Sequence, residues 1–157
     1  MPMQRQLKFN LMKDKVKDIF VEGPISPEKI SRSIASHQSK TDIGGHSIFL
    51  GQIRADKRNG NTVQAIEYSA YKPMALEAMH RIREEIFEKY PLSCAHVYHS
   101  LGRVNTGEIC LFVFTSARHR KEAIDACEEM VERIKSELPI WGKEIIDEEN
   151  HSWKINS

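Results

Sequence analysis

The sequence has few cysteines, no long apolar run and almost no net charge, and each of these absences excludes a class of protein. The three cysteines, Cys94, Cys110 and Cys127, are odd in number and widely spaced, which predicts reduced thiols rather than a disulfide or zinc framework. No apolar segment is long enough to span a bilayer, and the start of the chain lacks the residue order of a secretory signal. We therefore expect a cytoplasmic protein that does not bind a membrane.

The balance of charges argues against nucleic acid as a partner. The 157 residues include 23 Lys and Arg against 22 Asp and Glu, which gives a formal net charge of +1. Proteins that bind duplex nucleic acid usually carry a clear basic surplus. Any anion site must therefore be local, and the length fits one domain.

Motifs that mark common catalytic centres are also missing. The sequence contains no glycine-rich phosphate loop, no paired-cysteine metal motif and no nucleophile elbow, and its seven histidines lack the spacing of a zinc helix. We therefore expect neither a metal ion nor a cofactor. The remaining candidates for chemistry are Lys and Arg, which suit an anionic substrate whose reaction partner is delivered by another molecule.

The hydrophobic pattern changes irregularly between the period of a strand and that of a helix. Residues 1–15 are polar and aperiodic, and we expect them to form a flexible arm before a single domain over residues 16–157. The pattern predicts strands over 16–21, 44–55, 62–70, 94–101, 108–116, 141–146 and 152–155, and helices over 26–38, 71–89 and 118–138. Hairpins join neighbouring strands, so we expect an α+β fold with a mixed or antiparallel sheet packed against about three helices.

Some of these elements carry more specific expectations. Asn59-Gly60-Asn61 predicts the turn of a long hairpin between strands 44–55 and 62–70. The strand Ile109–Phe114 is apolar enough to lie centrally in the sheet. The periodicity of the second and third helices predicts that Met74 and Ile124 lie on their buried faces.

Basic residues lie near both ends of the third predicted helix. His119 and Arg120 lie where the first backbone amides lack partners and the helix dipole is positive, so they could bind a phosphate or carboxylate. Lys135 follows Arg120 by fifteen residues and points within about 60° of it. The same pattern is typical of a solvated first turn and of a lysine that extends to water, so both interpretations stay open.

Lys143 and Arg54 are weaker candidates for the same chemistry. Lys143 follows Pro139-Ile140-Trp141-Gly142 just beyond the helix, and Arg54 precedes the predicted turn. Lys143 could equally be an exposed strand residue paired with Glu144.

Five motifs in a fixed order resemble the large subunits of molybdopterin synthase. They are Gly51-Gln52-Ile53-Arg54, Glu67-Tyr68 to Met74, Gly102 with Gly107-Glu108, His119-Arg120, and Lys135 with Pro139-Ile140-Trp141. The resemblance covers about residues 16–155. It implies a hammerhead α/β fold and the conversion of a cyclic pyranopterin monophosphate to molybdopterin, a step of molybdenum cofactor biosynthesis.

The resemblance also implies partners. A small ubiquitin-like subunit would deliver two sulfurs in succession from a thiocarboxylated Gly-Gly tail, so the activity would be that of a sulfurtransferase. Two copies of this chain would form a homodimer within a heterotetramer. We expect this homodimer also because apolar strands such as Ile109–Phe114 could exceed what one small domain covers.

Residue roles follow from the same resemblance. Lys135 matches the catalytic lysine of the family. Three residues match its anion-binding, substrate-binding positions: Arg54, His119 and Arg120. A second catalytic lysine of the family falls at Gly142, one residue before Lys143. Lys143 can take that role only if the strand is bulged, because a shift of one residue moves a side chain to the other face.

Two other functions fit part of the pattern. A non-catalytic module could hold a phosphorylated ligand in the same basic pocket, with Gly142 marking the loss of a catalytic lysine. An RNA-binding domain could use the alternating Phe112 and Phe114, but that strand is apolar throughout and lacks interleaved basic residues.

Overall fold

In the computed structural model of the protein, the described residues are 17–146 together with the backbone of 151–153. The expected arm over residues 1–15 lies outside them. The strands of the described part are β1 (Phe20–Glu22), β2 (Gly45–Gln52), β3 (Lys57–Arg58), β4 (Asn61–Thr62), β5 (Ala65–Ala70), β6 (Leu92–Asn105), β7 (Ile109–Ala117), β8 (Ile140–Ile145) and β9 (His151–Trp153). Its helices are α1 (Pro27–His37), α2 (Lys72–Lys89) and α3 (Arg120–Glu137).

Seven of these strands form one sheet. Six follow the order β2-β7-β6-β5-β8-β9, and β1 pairs in parallel with β6. The other pairings in this sheet are antiparallel. This arrangement confirms the predicted α+β fold, with a mixed sheet and three helices. The predicted terminal hairpin is also confirmed, since β8 pairs with β9; its turn residues 147–150 lie outside the described part.

The predicted long hairpin at Asn59-Gly60-Asn61 is wrong. The turn exists, with φ angles of 52° at Asn59 and 81° at Gly60, but it joins only the short strands β3 and β4. Strand β2 instead pairs with β7 along its whole length. Turn residues fix a local chain reversal, whereas a longer strand is paired where its apolar side chains become buried.

Strand β6 is longer than predicted because the chain does not leave the sheet at Gly102. Gly102 adopts a φ of +78°, and the strand continues to Asn105 before the turn at Gly107. The first part of β6 pairs with β7, and Gly102–Asn105 pairs with β5. One strand thereby joins the two halves of the sheet.

Strand β7 is central, as predicted, and this chain covers both of its faces. Leu111 and Val113 belong to the main core between the sheet and helices α2 and α3. Phe112 and Phe114 point to the opposite face, where they pack with Ile25 and with α1. The second half of β7 is therefore buried without a second copy of the protein.

The helices begin and end close to the predicted positions. Ser26 caps α1 by accepting a hydrogen bond from the Lys29 backbone amide at 3.2 Å. Met74 and Ile124 are 55% and 52% exposed, so the predicted burial of both is wrong. On α3, Ala126 and Met130 complete the buried face instead, because that face is rotated away from Ile124. None of the described helices is long and apolar enough to span a membrane.

Candidate functional site

The predicted site residues lie at the two ends of α3. Helix α3 follows β7 after two residues and runs back across the sheet, in contact with both β7 and β2. Its first residue, Arg120, packs so closely on Gly45 that a Cβ atom there would lie 3.2 Å from the Arg120 Cα atom. Lys135 is fifteen residues further along, which at 1.5 Å per residue is about 22 Å. One phosphate cannot contact both side chains of the same chain.

Lys135 lies at a narrow pocket between the end of α3 and the sheet. The pocket has a volume of about 30 Å³ and is lined by Tyr68, His99, Cys110, Leu111, Ile134, Lys135, Leu138, Ile140 and Gly142. That volume is near the share of one water molecule in the liquid. Lys135 itself is exposed, so its ammonium group stands at the mouth and not among the buried residues of the helix.

His99 is a buried titratable residue that lines the Lys135 pocket. Its Nδ1 atom donates a hydrogen bond to the Ser100 carbonyl oxygen at 2.8 Å, because a carbonyl can only accept. Burial is the main cause that lowers the pKa of His99 to about 4; the Ser100 bond opposes this shift, and the charge of Lys135 adds to it. The imidazole is therefore neutral at pH 7, and its Nε2 atom is an acceptor.

Tyr68 and Cys110 are the other polar side chains beside His99 in this pocket. The Tyr68 hydroxyl donates to the Cys110 Sγ atom at 3.5 Å, and that thiol donates to the Gly51 carbonyl oxygen at 3.4 Å. The Tyr68 ring meets His99 edge-on, with centroids 5.0 Å apart. Burial raises the pKa of Tyr68, and Cys110 raises it further. The pocket thus combines buried neutral donors and acceptors with one cation at its mouth.

Arg54 lies at the same end of the sheet as Lys135. It follows β2, whose last residue, Gln52, pairs with Ile109 at the start of β7. Its side chain is 65% exposed, and its Nη2 atom lies 3.2 Å from the Asp56 carboxylate. An exposed ion pair of this kind contributes little stability, so Arg54 can exchange Asp56 for another anion.

Lys143 is not brought to the Lys135 pocket. Strand β8 pairs with β5 without a register shift, which places Gly142 opposite Tyr68 on the pocket side and Lys143 opposite Glu67 on the other side. The Lys143 Nζ atom lies 4.0 Å from the Glu67 carboxylate. The bulge that would turn Lys143 toward the pocket is absent from this pairing.

Gly142 is held at its position by close packing. A Cβ atom at Gly142 would lie 2.9 Å from the Ile66 Cγ2 atom and 3.1 Å from the Tyr68 ring. Any larger residue at Gly142 must therefore displace Ile66 or Tyr68.

His119 and Arg120 lie in a separate open groove at the start of α3. The groove has a volume of about 630 Å³, and its basic lining residues are Arg118, His119, Arg120 and Lys121. His119 is the N-cap of the helix but makes no side-chain cap bond. The first amides of α3 and these side chains form an exposed, positively charged end.

No sequence motif marks His99 as a functional residue, and the sequence predicts Cys110 only as a reduced thiol. Both belong to apolar strands, and no motif links them. Only the pairing of β6 with β7, which sets His99 opposite Leu111, brings these side chains and Lys135 around one pocket.

Comparisons with known proteins agree on one family. The family model described as MoaE protein matches residues 20–137. The molybdopterin synthase catalytic subunit of Pyrococcus abyssi is 39% identical over 110 residues, which cover 70% of this chain and 74% of that protein. The crystal structure of molybdopterin synthase from Staphylococcus aureus is 31% identical, with a TM-score of 0.73 and coverage of 87% of this chain and 95% of that chain. A complex of subunits 1 and 2 of molybdopterin-converting factor from Helicobacter pylori shares the fold, with 18% identity, a TM-score of 0.72 and coverage of 85% and 87%.

Proposed function

The chain belongs to the MoaE family of molybdopterin synthase catalytic subunits, and we propose that it acts as a sulfurtransferase through the Lys135 pocket. The observation that carries this proposal is the single ammonium group at the mouth of a narrow pocket of buried neutral groups. The substrate is a cyclic pyranopterin monophosphate. The sulfur comes from the thiocarboxylated tail of a small ubiquitin-like subunit.

Lys135 is the catalytic residue of this proposal. A thiocarboxylate and the oxyanions formed during its attack need fixed positive charge in a site of low dielectric constant. Lys135 supplies that charge. The neutral His99 and Tyr68 do not compete for the anion, and the His99 Nε2 atom can accept a proton.

The size of the pocket suits the end of a Gly-Gly tail. A cavity of about 30 Å³ excludes a pterin, so the cyclic substrate binds outside it. Two glycines carry no side chains, and their backbone can approach a narrow opening that other residues would block. The reacting sulfur then lies beside Lys135, at the border between the pocket and the substrate.

We propose further that each active site combines residues of two copies of the chain. Arg120 and Lys135 of one copy are about 22 Å apart, so they cannot act on the same substrate. The edge strand β2 offers a way to bring them together. A two-fold axis at that edge would lay two β2 strands antiparallel, with Gly45 and Arg120 of one copy near Gln52 and Arg54 of the other.

The dimensions and the exposed surface support this pairing. Eight residues of β2 extend about 26 Å, which matches the separation of the two ends of α3. Ile48 and Leu50 on β2 are 37% and 41% exposed, and a second copy would cover them. These two residues replace Ile109–Phe114 as the apolar surface that motivates a homodimer, because Phe112 and Phe114 are fully buried within one chain.

Lys143 lies away from the Lys135 pocket and does not take a direct part in the proposed reaction. Its contact with Glu67 lies on the face of β8 opposite Gly142. A role in catalysis would require a local rearrangement of β8 when the partner binds. We propose that the enzyme works with Lys135 as its single catalytic lysine.

Heterodimers of two impaired variants, assayed at a substrate concentration well below the wild-type Kd, test the shared site. Lys135→Ala and Arg120→Ala chains are coexpressed with different affinity tags, and dimers that carry both tags are purified. In a shared site, one of the two sites receives both intact residues, so about half of the wild-type activity should return. Activity no higher than that of either parent dimer would show that each chain uses its own residues.

A single-turnover assay of product formation tests the proposal that this chain is catalytic. The wild-type chain, a thiocarboxylated small subunit and the cyclic substrate are mixed, and product is measured in a single turnover. Absence of product with correctly assembled wild-type protein would favour a non-catalytic binding module. Light scattering of a Leu50→Arg variant checks the dimer separately, because a charge at that edge should give a monomer.

A further inference from the structure

Three potential metal ligands meet between α1 and the sheet, away from Lys135 and Arg120. His37 is the last residue of α1, and Cys94 and His96 alternate along β6 so that both face α1. Their ligand atoms all lie within 4.8 Å of one another. His37 and Cys94 are buried, and His96 is half-buried. The proposed sulfur transfer uses none of them.

The hydrogen bonds of His37 direct a free nitrogen lone pair toward His96. The His37 Nδ1 atom donates to the Ser33 carbonyl oxygen at 2.7 Å, since that oxygen can only accept. The Nε2 atom of the neutral ring therefore carries the lone pair and accepts a hydrogen bond from the His96 Nε2–H group at 3.0 Å. An ion that replaces this proton would leave His96 protonated on Nδ1, so that both Nε2 atoms face the ion. Metal-bound histidines show the same pattern, in which the second ring nitrogen donates to a backbone carbonyl.

The spacing of the nitrogens leaves room for an ion after a small adjustment. Two nitrogens each about 2.0–2.1 Å from one metal ion lie roughly 3.3–3.6 Å apart in tetrahedral or trigonal geometry. The observed 3.0 Å between the His37 and His96 nitrogens therefore needs to open by about half an ångström. His96 is only half-buried, so its ring has room to make this adjustment.

The surrounding charges select the type of ion. The Lys40 Nζ atom lies 2.8 Å from the Cys94 Sγ atom, so a positive charge already stands beside the sulfur ligand. Lys17 and Arg83 also lie close enough to His96 to act on it electrostatically. A divalent ion bound by one thiolate would leave a net positive centre among these cations. A monovalent ion with one thiolate is neutral, and thiolate and imidazole are both ligands of Cu⁺.

We propose that His37, Cys94 and His96 form a three-coordinate site for one Cu⁺ ion. The Cys94 thiol loses its proton to solvent when the ion binds, and no electron transfer is involved. Lys40 then donates a hydrogen bond to the bound sulfur. The ion ties the end of α1 to β6, two elements that the hydrogen bond between His37 and His96 already joins.

Competition with a chromophoric Cu⁺ chelator tests the site in the full-length, reduced protein under anaerobic conditions. We expect one Cu⁺ per chain and at least about 100-fold weaker binding in Cys94→Ala, His37→Ala and His96→Ala. Cys127→Ala is the matched control, because that buried thiol is bonded to Ser47 and Thr115 rather than to a histidine. Equal Cu⁺ affinity in Cys94→Ala and the wild type would overturn the proposal.

X-ray absorption of the wild-type complex gives a result that does not depend on the folding of any variant. One sulfur and two nitrogen neighbours of Cu⁺ are expected, and a sulfur-only or nitrogen-only shell would contradict the site. A parallel titration with Zn²⁺ checks the charge argument. We expect Zn²⁺ to bind at least tenfold more weakly than Cu⁺, and equal or tighter Zn²⁺ binding at these residues would reject a monovalent ion.

Discussion

The two ends of α3 are both positively charged but differ in how many cations they carry and how exposed the neighbouring pocket or groove is. At the C-terminal end of α3, Lys135 is a single cation beside Cys110 and beside His99 and Tyr68, both neutral at pH 7. At the start, Arg120 is one of four consecutive basic residues, and they lie around an open, solvated groove. The first arrangement strengthens one electrostatic interaction, and the second spreads attraction over a larger anion.

Because of this difference, we expect one end of α3 to act on the reaction rate and the other on substrate binding. A charge beside a water-poor pocket affects a transition state strongly, because little solvent screens it. A charge in an open groove mainly contributes to binding, and salt screens it. We therefore expect substitutions at Lys135 to change the rate and substitutions at Arg120 to change the affinity.

The largest effect is expected for Lys135→Ala. Removal of one preorganised charge should slow sulfur transfer by about 100-fold or more, with dimer formation and partner binding unchanged. Single-turnover assays with a preformed thiocarboxylated partner measure this rate. A Lys135→Ala enzyme with full activity would remove the distinction between the two ends of α3.

Arg120→Ala should weaken substrate binding by about 1 to 3 kcal/mol, because it removes a charge-assisted hydrogen bond at a helix N-terminus. Calorimetry measures the affinity, and circular dichroism controls for folding. Unchanged affinity in a folded variant would contradict the role of the groove. The loss should shrink at high salt if the groove is as solvated as its geometry indicates.

Gly142→Ala should destabilise the protein by about 1 to 3 kcal/mol, because the added Cβ atom overpacks the Lys135 end. The contacts at issue are the 2.9 Å approach to Ile66 and the 3.1 Å approach to the Tyr68 ring. Denaturant unfolding measures the change. Lys143→Ala on the same strand is the matched control, and equal stability of the two variants would mean that the packing at Gly142 is not tight.

His99 should make the free energy of unfolding decrease at acidic pH. Its folded pKa of about 4 lies below the ordinary value of 6.5, so the stability it confers is present above pH 6.5 and is lost as the pH falls toward 4. Between pH 7 and pH 5 the loss should be about 1 to 2 kcal/mol. Denaturant unfolding at both pH values should show a smaller loss in His99→Gln, whereas His119→Gln in the open groove should retain the wild-type loss.

The smallest effect is expected for Lys143→Ala. Its side chain lies on the face of β8 opposite Gly142, and its Nζ atom lies 4.0 Å from the exposed carboxylate of Glu67. Activity should stay within about twofold of the wild type, well under the tenfold loss expected for a general acid or base. A tenfold or larger loss would mean that β8 rearranges during catalysis and that the Lys135 end works with two lysines.

The family resemblance and the local patterns predicted much of the fold. Ser26 and Pro27 specify the start of α1, and Asn59-Gly60 specifies a tight turn, because capping and turn geometry depend on neighbouring residues alone. The same local reasoning placed the helix that carries Arg120 and Lys135. The helical rise alone then sets Arg120 and Lys135 about 22 Å apart. The local pattern does not show which surface could bring a second copy to join the two ends.

Strand pairing decided the rest. The sequence does not specify that β2 pairs with β7 rather than with β5, because such pairing depends on which surfaces become buried together when the chain closes. That pairing places Arg54 at the Lys135 end, and the pairing of β6 with β7 places His99 beside Cys110. The approach of α1 to β6 likewise brings His37 to Cys94 and His96, although 57 residues separate His37 from Cys94 in the sequence. The sequence by itself determines residue types, helix caps and tight turns, because these depend on neighbouring residues. Burial, the protonation state of buried side chains and sites built from several elements depend on contacts between distant segments, so only the tertiary structure decides them.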